Sequence, residues 1–308
     1  MPLPDKQHFT ISISVSGLSA LEHLHLFLQS QSGLTISKQT LKNYAQKGAI
    51  WLSRYSNTAK PERLRRLKKI LSPNDQLEFY HAPELLNSEP IPPTLIADFE
   101  QYSVWIKPRG MLSQGSKWAD HTALYRWVEM NYQPNNQQPR QCWIVHRLDR
   151  ATCGLMLLAH SKKMATKLSQ LFEEKQVHKR YQANVWGDFP NTPQTFNSPV
   201  QDKPAVSHVQ LLKKFPSPSF SATLPNLSSV QITIETGRKH QIRTHLSQAG
   251  YPIVGDRLYG NREYDHENKA LLDLQLTADQ LEFICPINQE TRTFSLTEAQ
   301  RNLYHTHS

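Results

Sequence analysis

The densest chemistry in the chain lies in His146-Arg147-Leu148-Asp149-Arg150-Ala151-Thr152-Cys153-Gly154, which runs straight into the apolar stretch Leu155 to Ala159. A charged loop that feeds an apolar strand presents its carboxylate at the strand entrance. Asp149, between Arg147 and Arg150, would be held ionised by neighbouring positive charge, and the same arginines suit phosphate. Such a carboxylate could act on RNA, or it could simply pair with one arginine at the surface. Side-chain chemistry alone favours the ion pair. Gly154 marks a backbone position that a side chain would crowd.

Two further clusters lie downstream. Lys175 to Tyr181 places Lys179 and Arg180 directly before a tyrosine. Taken singly, Tyr181 reads as core and Arg243 as a surface arginine. Thr236 to Leu246 contains Gly237, Arg238, Lys239, His240, Gln241, Arg243 and His245. His240 and His245 are five apart and do not share a helix face as metal ligands at i and i+4 do. They read as structural or RNA-facing, and no metal site is expected. Gly237, Gly250, Gly255 and Gly260 are four of the chain's eleven glycines, a concentration that suggests tight turns around a site. Cys153 has no evident partner base and reads as a small packing residue.

These residues need elements to hold them. Residues 1–82 read as a small domain. A strand is expected over Phe9 to Val15, then a helix through Leu21, Leu24 and Leu28. A second helix runs from an N-cap at Ser37 to Lys47, with Gly48 as its stop. A strand follows at Ala49 to Leu52, then the basic stretch Pro61 to Lys69. A turn over Ser72 to Asp75 leads into a strand from Gln76 to Tyr80. Lys38, Lys42 and Lys47 on the second helix would face phosphate or form a solvated basic face. Pro83, Pro90, Pro92 and Pro93 make 83–93 an extended linker by composition. Residues 94–308 form a second domain of mixed strands and helices, with a Pro- and Ser-rich surface loop at 215–227.

A chain of 308 residues has room for two domains and a sizeable core without staples. Thirty-five Lys and Arg against 26 Asp and Glu leave a formal +9, a balance that suits a polyanion partner. No apolar run approaches the roughly eighteen residues of a membrane span. The opening Met1-Pro2-Leu3-Pro4-Asp5 is unlike a secretory signal. Three scattered cysteines suit a reducing compartment, the cytoplasm.

The first cluster resembles the signature of the RluA-type pseudouridine synthase family: His-Arg-Leu-Asp, two variable residues, Thr, Ser, Gly, then an apolar strand. The family's other motifs follow in order. Lys179 to Tyr181 is similar to its Lys-x-Tyr segment, and Thr236 to Leu246 to its Thr-Gly-Arg-x-His-Gln-Ile-Arg-x-His-Leu segment. Gly250 to Asp256 and Tyr259-Gly260 continue the match. Val104 to Gly110 resembles the opening strand and Lys-Pro-x-Gly turn, and Leu276-Thr277-Ala278 stands where Leu-His-Ala is frequent. Ala151, Cys153 and Thr277 depart from the usual residues. The likeness covers about residues 94–300. It implies an α+β catalytic domain with a two-part, largely antiparallel sheet around a cleft.

The resemblance also implies an isomerase that needs no cofactor. It breaks the bond from ribose to N1 of uracil, rotates the base and rejoins it through C5. Asp149 would be the carboxylate, Arg243 its partner, and Tyr181 the ring that stacks on the detached base and helps remove the C5 proton. Arg147 would fill the gap left by a flipped nucleotide. Lys179, Arg238 and His240 would contact RNA. The partner would be ribosomal RNA or transfer RNA, the former slightly favoured, with the protein a monomer away from membranes. Residues 1–82 resemble a small RNA-binding domain shared by a ribosomal protein and some tRNA synthetases, departing from it where Ser53-Arg54-Tyr55-Ser56 replaces an Asn-Gly hairpin. The competing reading is a non-catalytic RNA-binding or RNA-folding protein on the same scaffold. A paired-carboxylate glycoside hydrolase is disfavoured, because the nearest second acid, Asp256, sits in a turn-like setting.

Overall fold

A computed structural model describes residues 6–55, 60–134, 140–216, 224–267 and 273–303. The chain divides into two compact units. One comprises Met1–Pro90 with Gln114–Tyr132, the other Ile91–Ser113 with Gln133–Ser308.

The first unit begins with β1 (Gln7–Ser12), α1 (Ala20–Phe27), α2 (Lys38–Gln46), β2 (Ile50–Ser53), β3 (Glu62–Arg63) and β4 (Gln76–His81). Its strands form one antiparallel sheet in the order β1-β4-β2-β3. Ser19 and Glu22 close a capping box at the start of α1, and Ser37 Oγ accepts the Thr40 N–H at 3.0 Å to open α2. Gly48, at φ +84°, supplies the left-handed stop that the sequence predicts. Leu24, Leu28, Leu41 and Ala45 on the helices pack against Ile11, Ile50, Leu77 and Phe79 on the sheet.

Two expectations change here. Residues 83–93 are not extended throughout, because α3 (Pro83–Asn87) occupies their first half. Proline is tolerated in a first helical turn, where its missing N–H is not needed, and burial of Leu86 in the first unit's core anchors the helix. After β5 (Thr94–Asp98) and β6 (Tyr102–Lys107) the chain enters 114–132, a 3₁₀ turn at Asp120–Thr122 and α4 (Leu124–Asn131). By sequence this stretch falls in the second domain, yet it groups with the first unit. Asp120 is fully buried, and a buried carboxylate requires cations. Arg63, at 3.2 Å, and Arg65 supply them, while the Tyr125 hydroxyl donates at 2.6 Å.

The second unit continues with β7 (Trp143–Ile144), β8 (Cys153–Ala159), α5 (Lys162–Glu173), β9 (His178–Trp186), β10 (Gln194–Phe196), β11 (Ser207–Phe215), β12 (Leu227–Ile234), α6 (Gln241–Gln248), α7 (Arg262–Glu267), β13 (Leu276–Ile284), β14 (Thr291–Ser295) and α8 (Glu298–Asn302). The main sheet runs β10-β11-β12-β9-β13-β8-β6-β5, with β14 on β13 and β7 on β8. Each pairing is antiparallel except β13 with β8. The expected two-part antiparallel sheet is thus two halves joined at one short parallel seam, Thr277 beside Cys153 and Ala278 beside Gly154. Met164 and Leu168 of α5 cover the half that contains Val104, Leu155, Leu157 and Phe283. Residues 217–223 of the expected surface loop lie outside the described residues. Among the described residues no helix is long and apolar enough to cross a membrane.

The seam depends on Gly154. One row of paired residues crosses the sheet from Lys107 through Gly154, Ala278 and Tyr181 to Ile232. Gly154 holds φ +120°, and a Cβ there would overlap the backbone of Ala278. Gly154→Ala should therefore cost about 2–3 kcal/mol from overpacking and left-handed strain together. A denaturant midpoint measured beside wild type checks this, and an unchanged midpoint would show that the seam tolerates a side chain.

Candidate active site

The largest motif cluster sits where β8 begins. Leu148 is clamped from both sides by Ser113, whose Oγ donates to the Leu148 carbonyl at 2.6 Å and accepts its N–H at 2.9 Å. The Arg150 carbonyl receives the Gly110 N–H at 2.9 Å and the Lys107 ammonium at 3.4 Å. The residues on either side of Asp149 are thereby fixed to the turn after β6. The Thr152 N–H closes a tight turn on the Asp149 carbonyl at 3.1 Å.

Lys107 is fully buried and also donates to the carbonyls of Pro108 and Met111, at 3.1 and 3.0 Å. Burial pushes its pKa down to about 7, against the opposing pull of Cys153 and Asp149. From pH 7 up to the ordinary lysine range near 10.5 the unfolded chain binds a proton here that the folded chain lacks. This group therefore makes stability rise with pH across that window. In Lys107→Met that part of the slope should disappear, which thermal midpoints between about pH 7 and pH 10 will reveal.

The three clusters meet around a single cavity of about 470 Å³. Asp149, Tyr181 and Arg243 line it, with Arg147, Lys179, Arg238 and His240. Tyr181 is carried in by β9 between its neighbours Ala278 and Ile232. Burial, and secondarily the Asp149 charge, raise its pKa above the ordinary tyrosine value, so it stays a phenol at neutral pH. The turn into α6 is braced by Gln241, which accepts the Arg238 N–H at 3.1 Å and donates to the Val206 carbonyl at 2.9 Å.

Arg243 is the buried hinge of the charge arrangement. Its Nε and one terminal nitrogen grip Asp256 at 2.7 and 2.6 Å, and its remaining nitrogen reaches Asp149 at 3.4 Å. Asp256 also receives the N–H groups of Leu258 and Tyr259 at 3.0 and 3.1 Å. Burial raises the Asp256 pKa, but these donors outweigh it and hold the carboxyl below the usual range. The guanidinium lies 5.1 Å from the Tyr259 ring centre.

The cation on Asp149 is thus Arg243, ninety-four positions away, and not a flanking arginine. Arg150 Nε instead donates to the Gly110 carbonyl at 3.1 Å, and Arg147 is exposed at the cavity wall. His240 stands in left-handed backbone, φ +59°, its Nε2 3.7 Å from Asp149 and its Nδ1 3.0 Å from the Tyr259 hydroxyl. Burial lowers its pKa, with the Asp149 charge opposing. His245 is tied to Ser207 and the Ser198 carbonyl, both at 2.9 Å, away from the chemistry. Among the described residues no group of side chains could hold a metal ion.

A protein-family model for RNA pseudouridylate synthase matches residues 101–248. The dual-specificity RNA pseudouridine synthase RluA of Pasteurella multocida is 36% identical over 174 residues, spanning 51% of this chain and 74% of the relative. The chain belongs to the RluA-type pseudouridine synthase family. The ribosomal large subunit pseudouridine synthase D of Buchnera aphidicola is 29% identical over 201 residues, covering 58% of this chain and 59% of that one. The structure of human RNA pseudouridylate synthase domain containing 1 superposes with a TM-score of 0.54 at 21% identity, over 68% of this chain and 86% of the human one. That likeness speaks for the shared fold.

In this pseudouridine synthase two departures from the family motifs touch one another. Cys153 Sγ lies 3.1 Å from Thr277 Oγ1, both fully buried at the parallel seam. Burial raises the Cys153 pKa and keeps it an inert thiol. Asp256, Lys107 and Ser113 were not singled out from sequence as parts of the site, although Asp256 lies inside the motif run that follows α6. In the first unit, Lys38 and Lys42 are exposed on adjacent turns of α2. Lys47 does not join them, because its Nζ donates to the Leu86 carbonyl at 2.7 Å and lies 3.4 Å from Glu89.

Proposed function

We propose that this enzyme isomerises uridines in structured RNA, ribosomal RNA before transfer RNA, with Asp149 as the catalytic carboxylate. The observation that carries the reading is Asp149 held at the cavity wall against a buried Arg243 that a second carboxylate already fixes. The N1–C1′ bond breaks, the uracil turns, and C5 bonds to C1′. N1 gains a proton and C5 loses one, so the reaction needs no redox partner. Asp149 attacks the sugar or base, or takes the 2′ proton. Tyr181 offers its ring face to the loose base, and its persistence as a phenol favours stacking over proton removal. Arg147 fills the space of the flipped nucleotide, while Lys179, Arg238 and His240 contact the strand.

The lean toward ribosomal RNA draws on the name of the Buchnera relative and on the basic first unit. The dual-specificity name of the Pasteurella relative keeps transfer RNA in view. The enzyme works as a cytoplasmic monomer, and its first unit adds RNA affinity through α2. Replacing Lys38 and Lys42 together with alanine should lower the slope of log affinity against log salt by about two, one per lost phosphate contact. A nucleotide-resolution pseudouridine map of cellular RNA, with and without this protein, tests the function. A site lost on deletion supports it and names the substrate, whereas an unchanged map together with no conversion by purified enzyme rejects it.

A further inference from the structure

His146 opens the same motif as Asp149, yet the reaction as described does not use it. Its Nε2 accepts the Leu157 N–H at 2.9 Å. A backbone N–H can only donate, so Nε2 carries no proton, and the neutral ring must hold its hydrogen on Nδ1. The ring stacks on Phe172 at 4.4 Å between centres, 19° from parallel, which fixes its plane. Both residues line the cavity that contains Asp149. Burial, together with Lys179, depresses the His146 pKa to about 3, and the ring stays neutral through the physiological range. Among the described residues Nδ1 has no protein partner, and it is not one of the enclosed polar atoms left without one.

We propose that His146 Nδ1–H is a fixed donor that reads a carbonyl oxygen of the uracil ring. This deepens the functional reading above and rests on it. Arg147, Lys179 and Arg238 line the same cavity and as cations would suit phosphate oxygens, so a neutral donor of one set direction is better matched to a neutral acceptor. Uracil presents two carbonyl oxygens. Cytosine keeps O2 but replaces O4 with an amino group, a second donor, so a fixed N–H aimed at O4 would also reject cytosine.

The test is a coupling measurement on an RNA stem-loop that carries a mapped target uridine. Sulfur accepts hydrogen bonds weakly, so 2-thio- or 4-thiouridine at the target should cost wild type about tenfold in kcat/KM at the position that is read. In His146→Phe, which keeps the stacked ring and removes the donor, that penalty should vanish. Undiminished penalties at both positions in the variant, or none at either in wild type, would overturn the assignment. Should His146→Phe fail to fold, ¹⁵N-histidine spectra of Asp149→Asn supply the second measurement. They should show Nε2 unprotonated in the free protein and an Nδ1–H signal that moves with the uridine RNA. A protonated Nε2, or an Nδ1–H signal that saturating uridine RNA leaves unmoved, refutes the proposal. Wild type that forms no pseudouridine on any RNA would instead refute the functional reading beneath it.

Discussion

Asp149→Asn should lower the rate of pseudouridine formation by at least about 10⁴-fold, the scale on which loss of a reacting group is felt. Thermal midpoint and RNA affinity should stay close to wild type. The reason lies in how lightly Asp149 is held. Its side chain is 26% exposed and meets Arg243 only through that residue's third nitrogen, at 3.4 Å. Arg243 keeps both shorter bonds to Asp256 when the Asp149 charge is removed. No buried cation is stranded, and the stability cost should remain below about 1 kcal/mol. Single-turnover conversion of the mapped RNA, beside filter binding and thermal melting, measures all three. A variant that converts RNA within tenfold of wild type would remove Asp149 from the chemistry.

Asp256→Asn should do the reverse and damage the fold as well as the rate. Asp256 and Arg243 are 2% and 5% exposed, so neutralising the carboxylate leaves a buried guanidinium with Asp149, at 3.4 Å, as its remaining counter-charge. Breaking such a pair from one side costs about 3–5 kcal/mol. The freed guanidinium would also be drawn toward Asp149 and would tie up the carboxylate. A double replacement separates the two effects. Arg243→Met with Asp256→Leu puts apolar volume in place of the pair and should regain most of the lost stability, because buried ion pairs are often no better than well-packed hydrocarbon. It should nevertheless remain inactive. Denaturant midpoints and the pseudouridine assay together decide. Recovery of activity in the double variant would mean that the pair serves only the fold.

Much of the site was legible because its residues are local neighbours of strong structural punctuation. Asp149 precedes an unmistakable apolar strand, and Ser37 and Gly48 bracket α2 as their chemistry requires. The resemblance then brought Tyr181 and Arg243 to the same place, and the cavity contains all three. What stayed hidden depends on contacts that spacing does not encode. Nothing local to Asp120 says that its cations stand at 63 and 65, so the return of 114–132 to the first unit was not foreseen. The turn-like setting of Asp256 is legible in the sequence, and Asp256 does accept the N–H groups two and three residues on. Its second task, gripping Arg243, needs the first turn of α6 and that turn to meet in space. Lys47 misled for a related reason: its charge reads as surface, and a backbone carbonyl thirty-nine residues away claims it.

The single parallel seam has a further consequence for how the enzyme comes into being. β13 lies between β8 and β9 in the sheet, yet the ribosome makes it long after both. Until residues 276–284 emerge, the nascent chain carries two open strand edges, which invite pairing with other chains. Closing them joins segments distant in sequence, a slow step by its topology. The strand bearing Tyr181 and the strand that Asp149 introduces are brought into one sheet only by this late insertion. The cavity that Asp149 and Tyr181 line is therefore completed only after residues 276–284 have been made.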